Sequence, residues 1–375
     1  AFSKSFKPLL KENTEFAYKW ATLSQSHINE GIRDPIKAYE YMNKFYVLEG
    51  NKRVSVLKYF DAVSISGNVT RILPRKSDDY PVKLYYEFVD FYNLSQVNYL
   101  YMSKLGNFAK LQFEIKGNED EAWSSDDKMN FRSMYQNFRS RYELLGGNQL
   151  DRITCGDAFL AFIQLYGYVP LLEKNEKQVN ELIELNFKEF KLMSDREVDL
   201  RMTTSTKKAS VFSKFLSTGT KHLKIAFIYE KTIASSSWTY SHELGRLHLD
   251  EVFNDQVSSI YYDNINSKNI DDAINDAIKN NCTLIFTTSP TFSKASLKAA
   301  IANPKITILN CSLHDPHSSM RTYYARMYEA KFIMGAVAGA MSEHDRIAYI
   351  ADYPIYGTIA NINAFGLGVK MTNPR

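Results

Sequence analysis

The stretch Leu223-Lys-Ile-Ala-Phe-Ile-Tyr229 decides the fold of the second half of the chain. It is a nearly unbroken apolar run, typical of a strand that is buried on both faces of a parallel sheet. Working outward, we predict a helix over 237–252 with Ser236 or Ser237 as its cap, because serine hydroxyls accept hydrogen bonds from the first free N–H groups of a helix.

The rest of residues 222–375 alternates short apolar runs with segments of helical spacing. Such alternation predicts βαβ units and a parallel sheet, that is, an α/β fold. The predicted strands are 257–262, 282–287, 306–309 and 347–350, and the predicted helices are 269–280, 293–301, 324–341 and 356–369.

The first 81 residues predict a small α+β domain. Asp34 followed by Pro35 is typical of a helix start, and we predict a helix through Asn43. A strand over 45–48 then leads through the polar turn Glu49-Gly50-Asn51-Lys52-Arg53 into a helix over 54–59, and a strand-like run follows over 63–73.

Residues 82–201 show helical spacing almost throughout, and residues 202–221 read as a linker rich in Thr, Ser and Lys. Phe131, Met134, Tyr135 and Phe138 lie on one predicted helix face, where packing is the favoured interpretation over cofactor binding. The predicted helices are 82–93, 126–145, 155–165 and 177–193.

Composition excludes several classes of protein. The 46 basic and 42 acidic residues leave a net charge of 46 − 42 = +4, too small for a protein that coats nucleic acid. Hydrophobic residues make up 45% of the chain, which is enough to bury a core. The 3 scattered cysteines argue against a disulfide framework or a Cys-rich zinc site, and no run of about 18 apolar residues predicts a transmembrane helix.

Motifs for common enzyme classes are absent from the sequence. It has no GxSxG, GxxxxGK[ST], GxGxxG or HExxH pattern. The pair His314 and His317 lacks a defined third ligand, so a surface loop is favoured over a metal site. We therefore predict a non-enzymatic protein without a cofactor.

Hydroxyl and aromatic residues follow the predicted strands, where a parallel sheet binds ligands. Two neighbouring loops with this chemistry favour a cleft for a planar polar ligand. A capped helix whose indole packs on the sheet is the alternative, and composition leaves it open. The candidate residues are Ser236, Ser237 and Trp238 after the first strand, Ser289 and Phe292 after the third, and Tyr353 after the run at 347–350.

The polar turn Glu49–Arg53 is a second candidate site. A glycine-bearing turn that enters a helix can hold a phosphate with its N–H groups, and Lys52 and Arg53 would supply positive charge. An ordinary helix start with basic residues in solvent explains the same pattern.

Residues 222–375 resemble the Med/basic-membrane-protein (BMP) family of ABC-transporter substrate-binding proteins. The resemblance rests on KIAFIYEKTIASSSWTYSHELGR, LIFTTSPTFSKASLKAA, YYARMYEAKFIMGAVAGAM and RIAYIADYPIYGTIANINAFGLGVK, in that order. It implies a type I periplasmic-binding fold that binds purine nucleosides or related molecules between two lobes.

By this resemblance, the indole of Trp238 would stack on the base. Ser237, Ser289 and Phe292 would line the cleft, and Tyr353 would approach from the second lobe. The first loop is serine-rich where the family has acidic or Asn residues, so the ligand stays open. Family members continue with most of a second lobe, so we expect this sequence to be a piece with an incomplete cleft.

Residues 29–73 resemble the ParB/sulfiredoxin-like fold. The matching pattern is an apolar strand, then Glu49-Gly50-Asn51-Lys52-Arg53, then a helix and another strand. The resemblance implies that this turn binds nucleotide phosphates. No DNA-reading helix-turn-helix is evident downstream, and the catalytic cysteine of sulfiredoxin is absent from this stretch.

Three hypotheses remain open from the sequence. The first is solute binding for ABC-type uptake, with a transporter permease as partner, or for intracellular sensing. The second is a nucleotide-dependent or nuclease-like ParB-like protein centred on Glu49–Arg53 and regulated by its C-terminal part, and the third is a scaffold in which both sites are vestigial. The ParB-like fusion favours the cytoplasm, whereas BMP-family proteins are exported lipoproteins, so both locations are carried as expectations. Nucleic acid is not an expected partner.

Overall fold

The computed structural model describes residues 2–62, 64–194, 222–253, 256–312, 317–344, 346–351 and 356–374. The predicted linker at 202–221 lies outside these residues. The chain divides into two compact units, one formed by Ala1–Gln112 and Glu119–Trp123 and the other by Phe113–Asn118 and Ser124–Arg375. The helix that was predicted over 82–93 therefore belongs to the first unit and not to a separate helical region.

The first unit contains a three-stranded sheet with the order β2-β1-β3. Strand β1 is antiparallel to β2 and parallel to β3. The strand–turn–helix–strand order on which the ParB-like resemblance rests is present as β2, Gly50, α2 and β3, but membership of that family remains a prediction. The elements are α1 (Glu15–Glu30), β1 (Ile36–Tyr41), β2 (Lys44–Glu49), α2 (Asn51–Tyr59), β3 (Gly67–Arg71) and α3 (Tyr80–Ser95).

The predicted helix from Asp34 to Asn43 is wrong, because Ile36–Tyr41 is strand β1. Its residues alternate between buried and exposed, with Ile36, Ala38 and Glu40 pointing inward. That period of two is the strand period and overrides the local helix-start signal of Asp-Pro. Met42 and Asn43 then take positive φ angles of 51° and 61°, which close a two-residue hairpin into β2.

The buried carboxylate of Glu40 links three elements of the first unit. Its carboxylate accepts hydrogen bonds from Arg71 Nε at 2.5 Å, from the hydroxyl of Tyr85 at 2.8 Å and from the backbone N–H of Asn43 at 2.6 Å. Burial, followed by the bond to Glu40, raises the pKa of Tyr85, so its phenol stays a donor. One carboxylate thus joins the hairpin, β3 and α3.

The second unit begins with a helical region whose core is aromatic. Phe131, Met134, Tyr135 and Phe138 are buried, as the packing interpretation predicted. Phe138 contacts Phe159 and Phe190 at ring-centroid distances of 5.2 and 5.8 Å. The helices are α4 (Asn107–Lys116), which crosses the boundary between the units, α5 (Ser125–Leu144), α6 (Cys155–Tyr166), α7 (Tyr168–Leu172) and α8 (Glu176–Ser194).

The predicted parallel sheet is confirmed in the rest of this unit. Its five strands have the order β5-β4-β6-β7-β8, and every neighbouring pair is parallel. The strands are β4 (Leu223–Ile228), β5 (Val257–Tyr262), β6 (Leu284–Thr287), β7 (Thr307–Cys311) and β8 (Arg321–Tyr323), and the helices are α9 (Ser237–Val252), α10 (Ile270–Lys279), α11 (Ser293–Ala302), α12 (Met327–Met341) and α13 (Tyr356–Thr372).

Strand β4 packs against other residues on both of its faces. Ala226 and Ile228 face a core made with α10 and α11, whereas Ile225, Phe227 and Tyr229 face the side of α9. Helix α9 is fixed there by a buried polar network, because the hydroxyl of Tyr229 donates to Glu243 at 2.9 Å and Arg246 donates both Nε and Nη2 to the same carboxylate. The bond from Arg246 lowers the pKa of Glu243, so the pair stays charged.

Two details of the sheet differ from prediction. Strand β8 was missed because it has only three residues, Arg-Thr-Tyr, with no apolar alternation. The predicted strand at 347–350 is wrong: these residues pair with no strand in the described part of the chain, and Ile350 is 96% exposed. No helix in that part of the chain combines the length and apolar character that a membrane crossing needs.

Helices α12 and α13 pack against each other at unusually short range. A Cβ atom added to Gly335 would overlap the carbonyl oxygen of Phe365, and one added to Gly368 would overlap that of Phe332. The small residues that the sequence shows in this region therefore allow backbone-to-backbone contact.

Substitution of Gly368 by Ala should separate these helices, because the added methyl group overlaps backbone that cannot move aside. We expect a loss of about 1–3 kcal/mol in the stability of the pair, measured as faster amide hydrogen exchange in α12 and α13. Gly366→Ala is the matched control, since nothing lies within 4 Å of a Cβ there. That control should be neutral or stabilising by up to about 1 kcal/mol, and equal exchange in the two variants would contradict the close-packing account.

Candidate functional site

The strand order brings two loops together at one edge of the sheet. Strand β5 lies on one side of β4 and β6 lies on the other, so the chain reverses its direction of travel around β4. In doubly wound sheets, ligands bind outside the carboxyl ends of the strands at such a reversal. Residues 229–236 follow β4 and residues 288–292 follow β6, and both loops therefore border this position.

Trp238 connects the two loops. Its indole Nε1–H donates to the backbone oxygen of Thr288 at 2.8 Å, which fixes one edge of the ring. The residue is nevertheless 37% exposed, so the indole is not sealed in the core. The rings of His242 and Tyr324 lie beside it, with centroid distances of 5.0 and 6.3 Å.

Ser236 and Ser237 have different roles at the start of α9. Ser236 is the cap, and its hydroxyl accepts from the backbone N–H of Thr239 at 3.2 Å. Ser237 is exposed. Only Ser237 therefore presents its side chain to solvent beside Trp238.

Ser289 is held at the end of β6 by a hydrogen-bond network. Its hydroxyl donates to Glu230 Oε2 at 2.7 Å, and its carbonyl oxygen accepts from Asn310 Nδ2 at 2.9 Å. Asn310 is fully buried, and its Nδ2 also donates to Thr287 Oγ1 at 2.9 Å. This network sets the backbone of the second loop and directs the Glu230 carboxylate towards it.

Glu230 lies in the candidate site and was not selected by the sequence analysis. The sequence did contain a signal for it: Glu230 comes directly after a buried strand, where a carboxylate lies at the same sheet edge as the hydroxyl groups. The carboxylate and the hydroxyl of Ser289 form one polar group across the two loops.

Among the remaining predicted residues, Phe292 is not brought to this position. Phe292 is only 1% exposed and packs in the core with α10 and α11, because it lies on the inward side of the turn that begins α11. Tyr353 lies outside the described residues, as do His314 and the rest of 313–316.

His242 adds a nitrogen acceptor beside the indole. Its Nδ1 lies 2.9 Å from the backbone oxygen of Trp238, a contact that requires Nδ1 to carry the proton and leaves Nε2 as the acceptor. Burial lowers the pKa of His242, although the bond to Trp238 opposes the shift. The imidazole is therefore neutral at pH 7.

The Glu49–Arg53 turn has a geometry of its own in the first unit. Gly50 has a φ of 102°, and a Cβ there would lie 2.7 Å from Ile36 Cγ2, so glycine is required. The basic residues of the turn are partly engaged: Arg53 Nη1 donates to the carbonyl oxygen of Pro35 at 2.9 Å. Glu49 forms an ion pair with Lys37 at 2.8 Å, and the bond to Lys37 lowers the pKa of Glu49.

Metal binding finds no support in the described part of the chain, where no group of three or more His, Cys, Asp or Glu side chains could hold an ion. Burial raises the pKa of Cys155 and Cys311 to about 11, so these two thiols stay protonated at neutral pH.

Comparison with known proteins identifies the C-terminal part of the chain. Residues 222–375 match the Bmp family, described as ABC transporter substrate-binding protein PnrA-like. The predicted resemblance to this family is confirmed for these residues, which we call the Bmp-like region. A purine-binding protein of Brucella abortus is 29% identical over 153 residues, covering 40% of this chain and 44% of that protein.

A putative ABC transporter glucose-binding protein of Haloferax volcanii is 24% identical over 149 residues, covering 40% of this chain and 38% of that protein. The chain thus spans less than half the length of these curated relatives. Among solved structures, an ABC transporter solute-binding protein from Conexibacter woesei is 14% identical with a TM-score of 0.34, covering 41% of this chain and 52% of that chain.

The neutral state of His242 predicts how stability depends on pH. Its pKa in the folded protein lies below 6.5, so the unfolded chain binds more protons as pH falls, and folding loses free energy below about pH 6.5. We expect unfolding titrations between pH 7.5 and 5 to show a smaller loss of stability in His242→Gln than in the parent.

The exposed His248 provides the control, since its side chain is 74% exposed. His248→Gln should follow the parent curve. If His242→Gln follows the parent as well, the imidazole is not held neutral by burial.

Proposed function

We propose that the Bmp-like region binds a small planar solute, a purine nucleoside or base, at the reversal of strand order around β4. The observation that carries the proposal is the indole of Trp238, which is anchored to the second loop by one hydrogen bond and is still 37% exposed. A fixed, exposed aromatic ring is a stacking platform, and stacking of a base on such a ring contributes about 1–3 kcal/mol.

The polar groups around the indole suit a purine nucleoside. The Glu230 carboxylate can accept from ribose hydroxyls or an exocyclic amino group, and the hydroxyl of Ser289 already donates to it. The Nε2 atom of neutral His242 is a further acceptor, and Ser237 offers an exposed hydroxyl. A flat apolar face with a few fixed polar groups is the usual composition of a small-molecule site.

The similarity to substrate-binding proteins supports a non-enzymatic role. For the complete protein we propose delivery of the solute to an ABC transporter permease, with intracellular sensing as the other arrangement. We further propose that a second lobe closes on the ligand, because a ligand that contacts two lobes favours the closed state.

Removal of the indole tests this proposal. Trp238→Ala should weaken binding of adenosine, guanosine or inosine by roughly 5- to 150-fold, the equivalent of the lost stacking energy. Binding is measured by calorimetry and by the nucleoside-induced rise in melting temperature of the 375-residue chain.

Tyr240→Ala is the matched control, because Tyr240 is an exposed aromatic residue on the same helix. Its affinity should equal that of the parent. Equal binding by Trp238→Ala would exclude the stacking site, and a response to glucose but to no purine would replace the proposed ligand with a sugar.

Nucleotide binding at the Glu49–Arg53 turn is the alternative proposal. It is supported by the left-handed Gly50 at the N-terminus of α2, where backbone N–H groups are free to meet an anion. Glu49 opposes it, since a carboxylate stands in the same turn.

Lys52→Ala is the informative variant here, because Arg53 has a structural bond to Pro35 that its own replacement would remove. Loss of one phosphate contact should lower ATP or CTP affinity about 10-fold in an equilibrium titration, consistent with the strength of a charge-assisted hydrogen bond. No response to nucleotide in the parent, or an equal response in both proteins, would end this alternative.

A further inference from the structure

Helix α8 presents a buried carboxylate to the segment that precedes strand β8. Glu189 is only 7% exposed. Its Oε1 accepts from the backbone N–H of Ser319 at 2.9 Å and from the hydroxyls of Ser318 and Ser319 at 2.8 and 2.7 Å, and its Oε2 accepts from the backbone N–H of Ser318 at 3.1 Å. One side chain thus satisfies four donors of two consecutive residues.

The charge of Glu189 is part of this contact. Burial alone would raise the pKa of its carboxyl group, but the bonds from His317, Ser319 and Ser318 outweigh that effect and lower the pKa to about 2. The side chain is therefore an anion under all ordinary conditions, and hydrogen bonds to an anion are stronger than those between neutral groups.

Strand β8 is a short strand at the edge of the sheet. It contains three residues, lies at the edge of the sheet and pairs with β7 alone among the described strands. Ser318 and Ser319 come two to three residues before Arg321, so the Glu189 contact lies directly before the start of the strand. Met320, which lies between Ser319 and Arg321, is 2% exposed and packs in the core, so the segment is held at this residue as well.

The other end of β8 reaches the candidate site. The ring of Tyr323 lies 6.3 Å from that of His242, and the ring of Tyr324 lies 6.3 Å from that of Trp238, tilted by 34°. The two tyrosines form one wall beside the indole. A shift at the start of a three-residue strand would therefore move this wall.

We propose that Glu189 is a positioning residue for the solute site, acting through Ser318, Ser319 and strand β8 on the wall formed by Tyr323 and Tyr324. This inference rests on the proposed function for its ligand. It gives the helical region a role in recognition, although Glu189 lies outside residues 222–375 that match the Bmp family.

Glu189→Gln is the principal variant, because it keeps the shape of the side chain but replaces one acceptor oxygen with an NH₂ group that faces the serine donors. We expect amide exchange in residues 318–323 to become at least about 10-fold faster, since hydrogen bonds to a charged group are lost. Affinity for adenosine, guanosine or inosine should fall by roughly 10-fold, with Trp238 still present.

Glu181→Gln is the matched control, since Glu181 is an exposed glutamate on the same helix. It should match the parent in exchange and in affinity. The double variant Ser318→Ala/Ser319→Ala removes two donors from the other side and carries the test if Glu189→Gln does not fold. When the double variant is combined with Glu189→Gln, the effects on exchange and affinity should not add, because both changes break the same contact.

Acrylamide quenching of Trp238 gives a readout that needs no ligand. Trp20 and Trp123 are 7% and 4% exposed, so the quenchable indole is that of Trp238, and movement of the tyrosine wall should change its quenching constant. If the parent protein binds no nucleoside, the proposed function is refuted. The quenching measurement still decides the role of Glu189, because it requires no ligand.

The inference is overturned by any of three results. Exchange at 318–323 in Glu189→Gln equal to that in Glu181→Gln would show that the carboxylate does not fix the strand. Faster exchange with unchanged Trp238 quenching would show that the strand does not control the wall. Faster exchange with unchanged affinity, in a parent that binds, would show that the wall does not affect recognition.

Discussion

The position of β4 between β5 and β6 is the constraint on which the rest of the C-terminal structure depends. Because β5 and β6 pair with opposite edges of this strand, the loops after β4 and β6 end beside each other with no helix between them. Backbone groups in both loops would be left unpaired without further contacts. The bonds from Trp238 to the carbonyl oxygen of Thr288 and from Asn310 to the carbonyl oxygen of Ser289 meet that need.

Parts of this structure were predictable because local and global signals agree. Strand β4 is apolar on both faces, and α9 begins at Ser236 because that serine caps it, so both were located from sequence. The helix predicted from Asp34 to Asn43 was wrong, because the helix-start signal of Asp-Pro competed with a period-two pattern of only three inward residues. Strand β8 could not be found, since three residues at a sheet edge carry no period.

Only those residues of the candidate site that directly follow a strand were predictable from sequence. Trp238 and Ser289 follow strands, and position along the chain was enough to select them. Phe292 also follows a strand, but its side chain points into the core. The direction of a side chain in a tight turn cannot be read from residue composition. Glu189 could not be selected at all, because its significance lies in partners about 130 positions away along the chain.

The contact between α12 and α13 has a mechanical meaning. At Gly335 and Gly368 the backbone of one helix rests on the backbone of the other, and the hydroxyl of Thr372 bonds across the same contact to the carbonyl oxygen of Ala336. Neither helix can slide along the other without overlap of backbone atoms, so the pair moves as one rigid element.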